Sequence, residues 1–161
     1  MIIIRVQQED FDIGAELAAL HAGNTKIGGI ASFTGLVRDI AAPGSPPSSM
    51  TLEHYPGMTE KQLGVIAAEA ARRWLLDACL VIHRYGRLAP GDRIVLVATA
   101  SAHRAAALAA SAFLIDWLKT KAPFWKLEDD GTAQRWVAAQ DSDDAAAAKW
   151  AADPRTAPPE R

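Results

Sequence analysis

Apolar residues recur along the chain with two different periods, and the switches between them mark out short elements of both kinds. Ile2 to Val6 is a brief apolar run of strand length. The stretch "DIGAELAALHA" (12–22) sets Leu17 and Leu20 on one helical face, and "GGIASFTGLVRDI" (28–40) reads as extended. In "AAPGSPPSSM" (41–50), three prolines, a glycine and three serines cannot build a core, so a mobile loop is expected. "TLEHY" (51–55) alternates like a strand and Pro56-Gly57 turns the chain. Thr59 and Gln62 fit the T-x-x-Q box that opens a helix, in which Leu63, Ile66, Ala67, Ala70 and Trp74 keep helical spacing.

Two strands follow, "ACLVIHRYG" (78–86) and "RIVLVATA" (93–100), joined through the turn residues Pro90-Gly91-Asp92. Ser101 is a candidate cap for the helix "AHRAAALAASAFLIDWLK" (102–119), which is apolar almost all round and so predicts a buried central element. Beyond Pro123, "FWKLED" and "RWVA" are short strand-like pieces around Asp130-Gly131, and "SDDAAAAKW" (142–150) is a short helix with acidic residues in its first turn. The order mixes strands and helices without regular β-α alternation or internal repeat. The expected class is α+β, as one domain over residues 1–150, with a disordered polar tail at 151–161.

Composition narrows the functional classes. The chain has 161 residues, half of them hydrophobic, and a formal net charge of −2. That balance argues against bulk nucleic-acid binding. Cys79 is the single cysteine, too few for a disulfide or a common structural zinc site, and it opens an apolar strand, so burial is expected. The start, "MIIIRVQQEDFD", does not read as a signal peptide, and no apolar run suggests a membrane span. A cytoplasmic setting is the expectation, with neither metal nor cofactor.

Candidate chemistry concentrates in two places. In "SAHR" (101–104), His103 and Arg104 fall at a helix start, where cations oppose the dipole unless an anion is bound there. In "KTKAPFWK" (119–126), Lys119 and Lys126 bracket a stiff turn walled by Phe124 and Trp125. Crowded, desolvated lysines can serve as nucleophiles or proton carriers. A helix C-terminus also accepts a lysine for dipole reasons alone, with Asp116 as a candidate partner. Arg38, in "FTGLVRD", can face a phosphate or close a strand. Glu53, His54, Tyr55 and the pair His83-Arg84 read more simply as half-exposed strand faces than as catalytic groups.

Taken together, "TLEHYPGMTEK", "VIHRYGRLAPGD", "TASAHR" and "LKTKAPFWK" resemble the large, catalytic subunit of molybdopterin synthase, in order and spacing, from about Gly28 to Trp150. The resemblance implies an α/β-hammerhead fold with mostly antiparallel sheet. It implies a sulfurtransferase that converts cyclic pyranopterin monophosphate (precursor Z) into molybdopterin. Both sulfurs come from a thiocarboxylate on the C-terminal Gly-Gly of a small ubiquitin-like subunit. It further implies a homodimer of this chain inside a heterotetramer. Lys119 and Lys126 match the family's catalytic lysines, and Arg38, His103 and Arg104 its phosphate-binding residues; Phe33, Ile115, Phe124 and Trp125 are candidate pocket lining. Two positions depart from the familiar pattern: Gln140 stands where an arginine can occur, so that basic help for the phosphate comes from Arg135 or is missing, and Ile115 stands where methionine is familiar.

One distance shapes the expected site. His103 and Lys119 lie sixteen positions apart on one helix, or about 24 Å at 1.5 Å per residue. A pterin is far smaller, so the pocket is expected to be completed across the dimer, with His103 and Arg104 from one subunit and Lys119 and Lys126 from the other. The competing readings are a non-catalytic scaffold for a ubiquitin-like partner, which needs no pterin, and a non-catalytic anion- or nucleotide-binding module, which leaves the paired lysines unexplained; neither accounts for the four segments together.

Overall fold

The structure is a computed structural model that describes residues 1–137 and 141–151, with residues 141–143 as backbone only. Its elements run β1 (Ile2–Gln7), α1 (Ile13–His21), β2 (Gly29–Leu36), β3 (Ser49–His54), α2 (Met58–Trp74), β4 (Ala78–Arg84), β5 (Gly86–Leu88), β6 (Arg93–Ser101), α3 (Arg104–Lys121), β7 (Phe124–Asp129), β8 (Gln134–Val137) and α4 (Asp141–Ala148). The class is α+β. One four-stranded sheet has the order β1-β4-β6-β2 and a second the order β5-β3-β7-β8. All pairings are antiparallel except β1 with β4.

The near-continuous apolar run of β4 has a simple cause: both faces of the first sheet are covered. Cys79 and Val81 point into the layer formed by α2 and α3, against Leu63, Ile66, Phe113 and Leu114. Ala78, Leu80 and Ile82 point the other way, toward Phe11 and Leu20 beside α1. Each such large apolar side chain, fully buried, contributes about 1.5–3 kcal/mol. The second sheet has its own smaller core of Val37, Met50, Leu52 and Leu88. The chain passes from one sheet to the other between β4 and β5, and Gly86 makes that corner with φ 88°, a conformation that favours glycine.

Several local expectations need correction. Ser101 is the buried last residue of β6, not a cap; His103 is the N-cap of α3 and makes no side-chain capping bond. The Thr59/Gln62 box is not used either. Helix α2 begins two residues earlier, with Gly57 at the cap and the Glu60 carboxylate accepting from its backbone N–H at 2.7 Å. Thr59 is fully buried in the first turn, where its hydroxyl accepts from the Tyr55 N–H and donates to the Pro123 carbonyl. The expected loop at 41–50 ends sooner, because Ser49 and Met50 open β3 and Ser48 to Met50 are buried. Ser48 donates to Asp39 at 2.7 Å, closing the base of the loop. Helix α3 is central, but only Ala107, Ala110, Ser111, Phe113 and Leu114 are buried; Leu108 stays 61 % exposed. Gln140 and the tail from 152 lie outside the described residues.

The start of β2 is pressed against the corner that leads into α3. A Cβ on Gly28 would stand 2.2 Å from the Ala102 carbonyl oxygen, which belongs to backbone and cannot swing away. Gly64, inside α2, has nothing within 4 Å of the same added atom. Chemical denaturation of two variants separates these cases. Gly28→Ala should lose about 1–3 kcal/mol of stability through overpacking, whereas Gly64→Ala should gain up to about 1 kcal/mol through helix propensity.

Candidate functional site

Helix α3 has to stop at Ala122, because the residue before a proline is driven to extended backbone; Ala122 has φ −78° and ψ 128°. Phe124 then opens β7, with its N–H bonded back to the Ala122 carbonyl at 2.9 Å. The Thr59 hydroxyl holds the turn from the other side through the Pro123 carbonyl. From there the strand period decides which side chains face inward. Phe124, Lys126 and Glu128 line a cavity of about 740 Å³, while Trp125 and Leu127 are not among its lining residues. Lys119, in the last turn of α3, lines the same cavity, as do Ile115, Arg38 just past β2, and Phe33.

Six of the sequence candidates therefore meet in one place: Arg38, Lys119, Lys126, Phe33, Ile115 and Phe124. Trp125 does not join them. As the neighbour of Lys126 in an extended strand it falls on the opposite face and is 50 % exposed. His103 and Arg104 are exposed at the far end of α3 and line no part of this cavity. Arg135 is exposed and pairs with Glu128 at 3.1 Å.

Charge in the cavity is lopsided. Arg38, Lys119 and Lys126 contribute three cations against the Glu128 carboxylate, which contacts Lys126 at 3.0 Å. Burial pushes the Glu128 carboxyl up, but the hydrogen bonds from Lys126 and Arg135 outweigh it and hold the group below the usual range. Sequence reading missed Glu128, although the alternation Lys126-x-Glu128 on one strand face was the available signal. An apolar wall of Phe33, Ile115, Leu118 and Phe124 completes the enclosure. The arrangement suits a small, partly flat, anionic ligand.

Sequence reading also undervalued His83. It lines the cavity and stacks on Phe124, with ring centroids 3.8 Å apart and 19° between planes. Its Nδ1 lies 2.9 Å from the Arg84 carbonyl oxygen. A carbonyl only accepts, so Nδ1 carries the proton and Nε2 the lone pair. Burial, with His54 adding to it, pushes the imidazole down to about 4. His54 and Tyr85 extend the aromatic cluster, at 4.2 Å between their centroids. Cys79 is fully buried, and burial pushes its thiol up to about 12, so it offers no thiolate near neutral pH. Among the described residues no group of three or more His, Cys, Asp or Glu side chains could hold a metal ion, and no helix is long and apolar enough to cross a membrane.

Comparison with known proteins decides the family. The sequence profile of the MoaE protein family matches residues 6–121. This chain belongs to the MoaE family. A molybdopterin synthase catalytic subunit of Ralstonia nicotianae is 57% identical over 150 residues, covering 93% of this chain and 85% of the relative. Another from Pseudomonas aeruginosa is 56% identical over 147 residues, covering 91% and 97%. Among solved structures, the molybdopterin biosynthesis MoaE protein of Burkholderia ambifaria matches with a TM-score of 0.81 and 53% identity, over 95% of this chain and all of the other. MoaE membership brings with it the enzyme class read from the four segments, a molybdopterin synthase catalytic subunit and thus a sulfurtransferase.

Neutral His83 makes stability depend on pH in a defined direction. Between the ordinary histidine value of 6.5 and about 4, the unfolded chain takes up a proton that the folded chain refuses. Stability should therefore fall as pH drops through that window. Denaturation midpoints across it should show a shallower slope for His83→Phe, which cannot titrate.

Proposed function

We propose that this MoaE-family chain acts on cyclic pyranopterin monophosphate and builds the dithiolene of molybdopterin with sulfur brought by a small ubiquitin-like subunit. The observation that carries the reading is the convergence of Arg38, Lys119 and Lys126 on one cavity with an apolar wall. The cations suit the substrate's phosphate and the carrier's terminal thiocarboxylate, and the wall suits the flat pterin. The lone, buried Cys79 cannot shuttle sulfur, so sulfur has to arrive on a partner. A single buried cysteine also fits a reducing, cytoplasmic compartment.

In each of two rounds the thiocarboxylate sulfur forms a bond to a pterin side-chain carbon while a carbon–oxygen bond of that carbon breaks, the oxygen staying on the phosphate as the cyclic ester opens in one round and leaving as water in the other. Water then adds at the acyl carbon, the acyl–sulfur bond breaks, and the carrier leaves as an ordinary carboxylate while sulfur stays on the pterin. Lys119 holds the acyl end and moves the proton; Lys126 stabilises the negative charge that develops. Glu128, paired to Lys126 at 3.0 Å, marks the position an incoming carboxylate-like group would compete for.

His103 and Arg104 enter this site from a second copy of the chain. Helix α3 spans Arg104–Lys121, and a helix of that length is about 27 Å from end to end, too long for both ends to reach one pterin. A central homodimer with one small subunit at each end satisfies that geometry.

Reconstitution with a thiocarboxylated small subunit and precursor Z tests the chemistry. Wild type should form molybdopterin, and Lys119→Ala should form essentially none while keeping its dimer by size-exclusion chromatography. Near-normal product from Lys119→Ala would remove the lysine from its role, and no product from wild type with partner bound would favour a scaffold. Mixed dimers test the shared site. Two inactive chains, Lys119→Ala and His103→Ala, co-assembled at random should regain about a quarter of wild-type activity, because half the dimers then hold one intact site. Absence of any recovery would place the whole site within one chain.

A further inference from the structure

We propose that His83 is a positioning residue for this sulfur transfer: stacked on Phe124, it fixes the turn that brings Lys119 and Lys126 to one cavity. The inference rests on the synthase reading above and adds a residue to it. His83 sits near the end of β4 in the first sheet, and Phe124 is the first residue of β7 in the second. Their rings are nearly parallel with centroids 3.8 Å apart, so the contact crosses the seam between the sheets. The imidazole cannot rotate freely, because Nδ1 is bonded to the Arg84 carbonyl at 2.9 Å.

The backbone of Phe124 is anchored by its N–H bond to the Ala122 carbonyl and by pairing with His54 of β3, but among the described residues its ring has no other stacked partner. Its other ring neighbour, His54, is tilted and 6.4 Å away. Lys126 follows Phe124 by two residues on the same strand face, and Lys119 precedes it by five across the Pro123 turn. A shift of Phe124 therefore moves both ammonium groups relative to the substrate. Misplacement of a catalytic group by about 1 Å can cost on the order of a hundredfold in rate.

The ring also has to stay uncharged. The charged groups that share the cavity with it are Arg38, Lys119, Lys126 and Glu128, and beyond the aromatic cluster His54 faces Glu60 at 3.9 Å. An imidazolium would join three cations and one carboxylate. The burial that holds His83 down to about 4 keeps it a neutral aromatic plate at working pH.

Two measurements test the proposal, one without turnover. In the protein alone, carrying ¹³C-labelled lysine, His83→Ala should move the Lys119 and Lys126 side-chain signals toward those of solvated lysine. His83→Phe, which keeps a ring on Phe124, should leave them near wild type. Unmoved signals in His83→Ala overturn the proposal. In the reconstituted reaction, His83→Ala should lower kcat at least about tenfold with little change in the pterin KM. His83→Phe should recover most of that rate, and adding Phe124→Leu to His83→Ala should cost little more, as for residues acting as one unit. A His83→Phe variant as slow as His83→Ala would mean that an imidazole nitrogen acts on substrate directly, and overturns a positioning role. If His83→Ala fails to fold, Phe124→Leu replaces it in both measurements: shifted lysine signals and a lowered kcat support the positioning role, and unmoved signals overturn it. Should wild type form no product, the synthase reading fails, and the lysine signals still decide whether His83 positions the pair.

Discussion

Phe124 lying flat on His83 ties the end of one sheet to the start of a strand in the other, and the cavity exists because those two sheets meet there. Neither sheet encloses a site alone. The first supplies Phe33 from the middle of β2 and His83 from near the end of β4, and the second supplies Phe124, Lys126 and Glu128 from one face of β7. Helix α3 closes the space with Ile115 and Lys119. The Thr59 hydroxyl, bonded to the Pro123 carbonyl, braces the same turn from α2. Three elements distant in sequence, β2, β4 and α2, thus converge around the short, stiff segment that joins α3 to β7.

The electrostatics of the cavity follow from that geometry. Arg38, Lys119 and Lys126 would repel one another in an empty apolar pocket, and Glu128 relieves part of the repulsion by pairing with Lys126. The carboxylate is itself shared with Arg135 at the rim. A net positive, half-apolar enclosure favours an anionic, flat ligand over a neutral or cationic one. Cys79, sealed in β4 beneath the helical layer, takes no part, which leaves sulfur chemistry to a carrier that enters from outside. The length of α3 adds a second constraint. It keeps His103 and Arg104 away from the lysines of their own chain and makes the assembly part of the proposed mechanism.

Much of the secondary structure was readable because it follows from local period and turn chemistry. Helices α2 and α3, strands β4 and β6, and the Asp130-Gly131 turn all lie where the apolar spacing places them. Helix caps were less readable. Ser101 and Thr59 have the right side chains for capping, yet each is buried where it meets a non-local partner or a strand neighbour; Thr59 spends its hydroxyl on Tyr55 and Pro123. The apolar circumference of α3 likewise suggested burial on all sides, while Leu108 faces outward. Composition says how much of a helix can be buried, but not which neighbours are present to bury it.

By itself the sequence determined the α+β class, the family, the inert cysteine and the pair of lysines around a stiff turn. Those properties reside in local spacing and in residue identity. Tertiary structure decided which candidates share a space. It joined Arg38 to Lys119 and Lys126, turned Trp125 to the other face of β7, paired Lys126 with Glu128, and set His83 beneath Phe124. The Arg38 and His83 contacts depend on the meeting of two sheets and join residues tens of positions apart, where no local period carries information, whereas the faces of Trp125 and Glu128 follow the two-residue period of β7 once register sets which face looks inward.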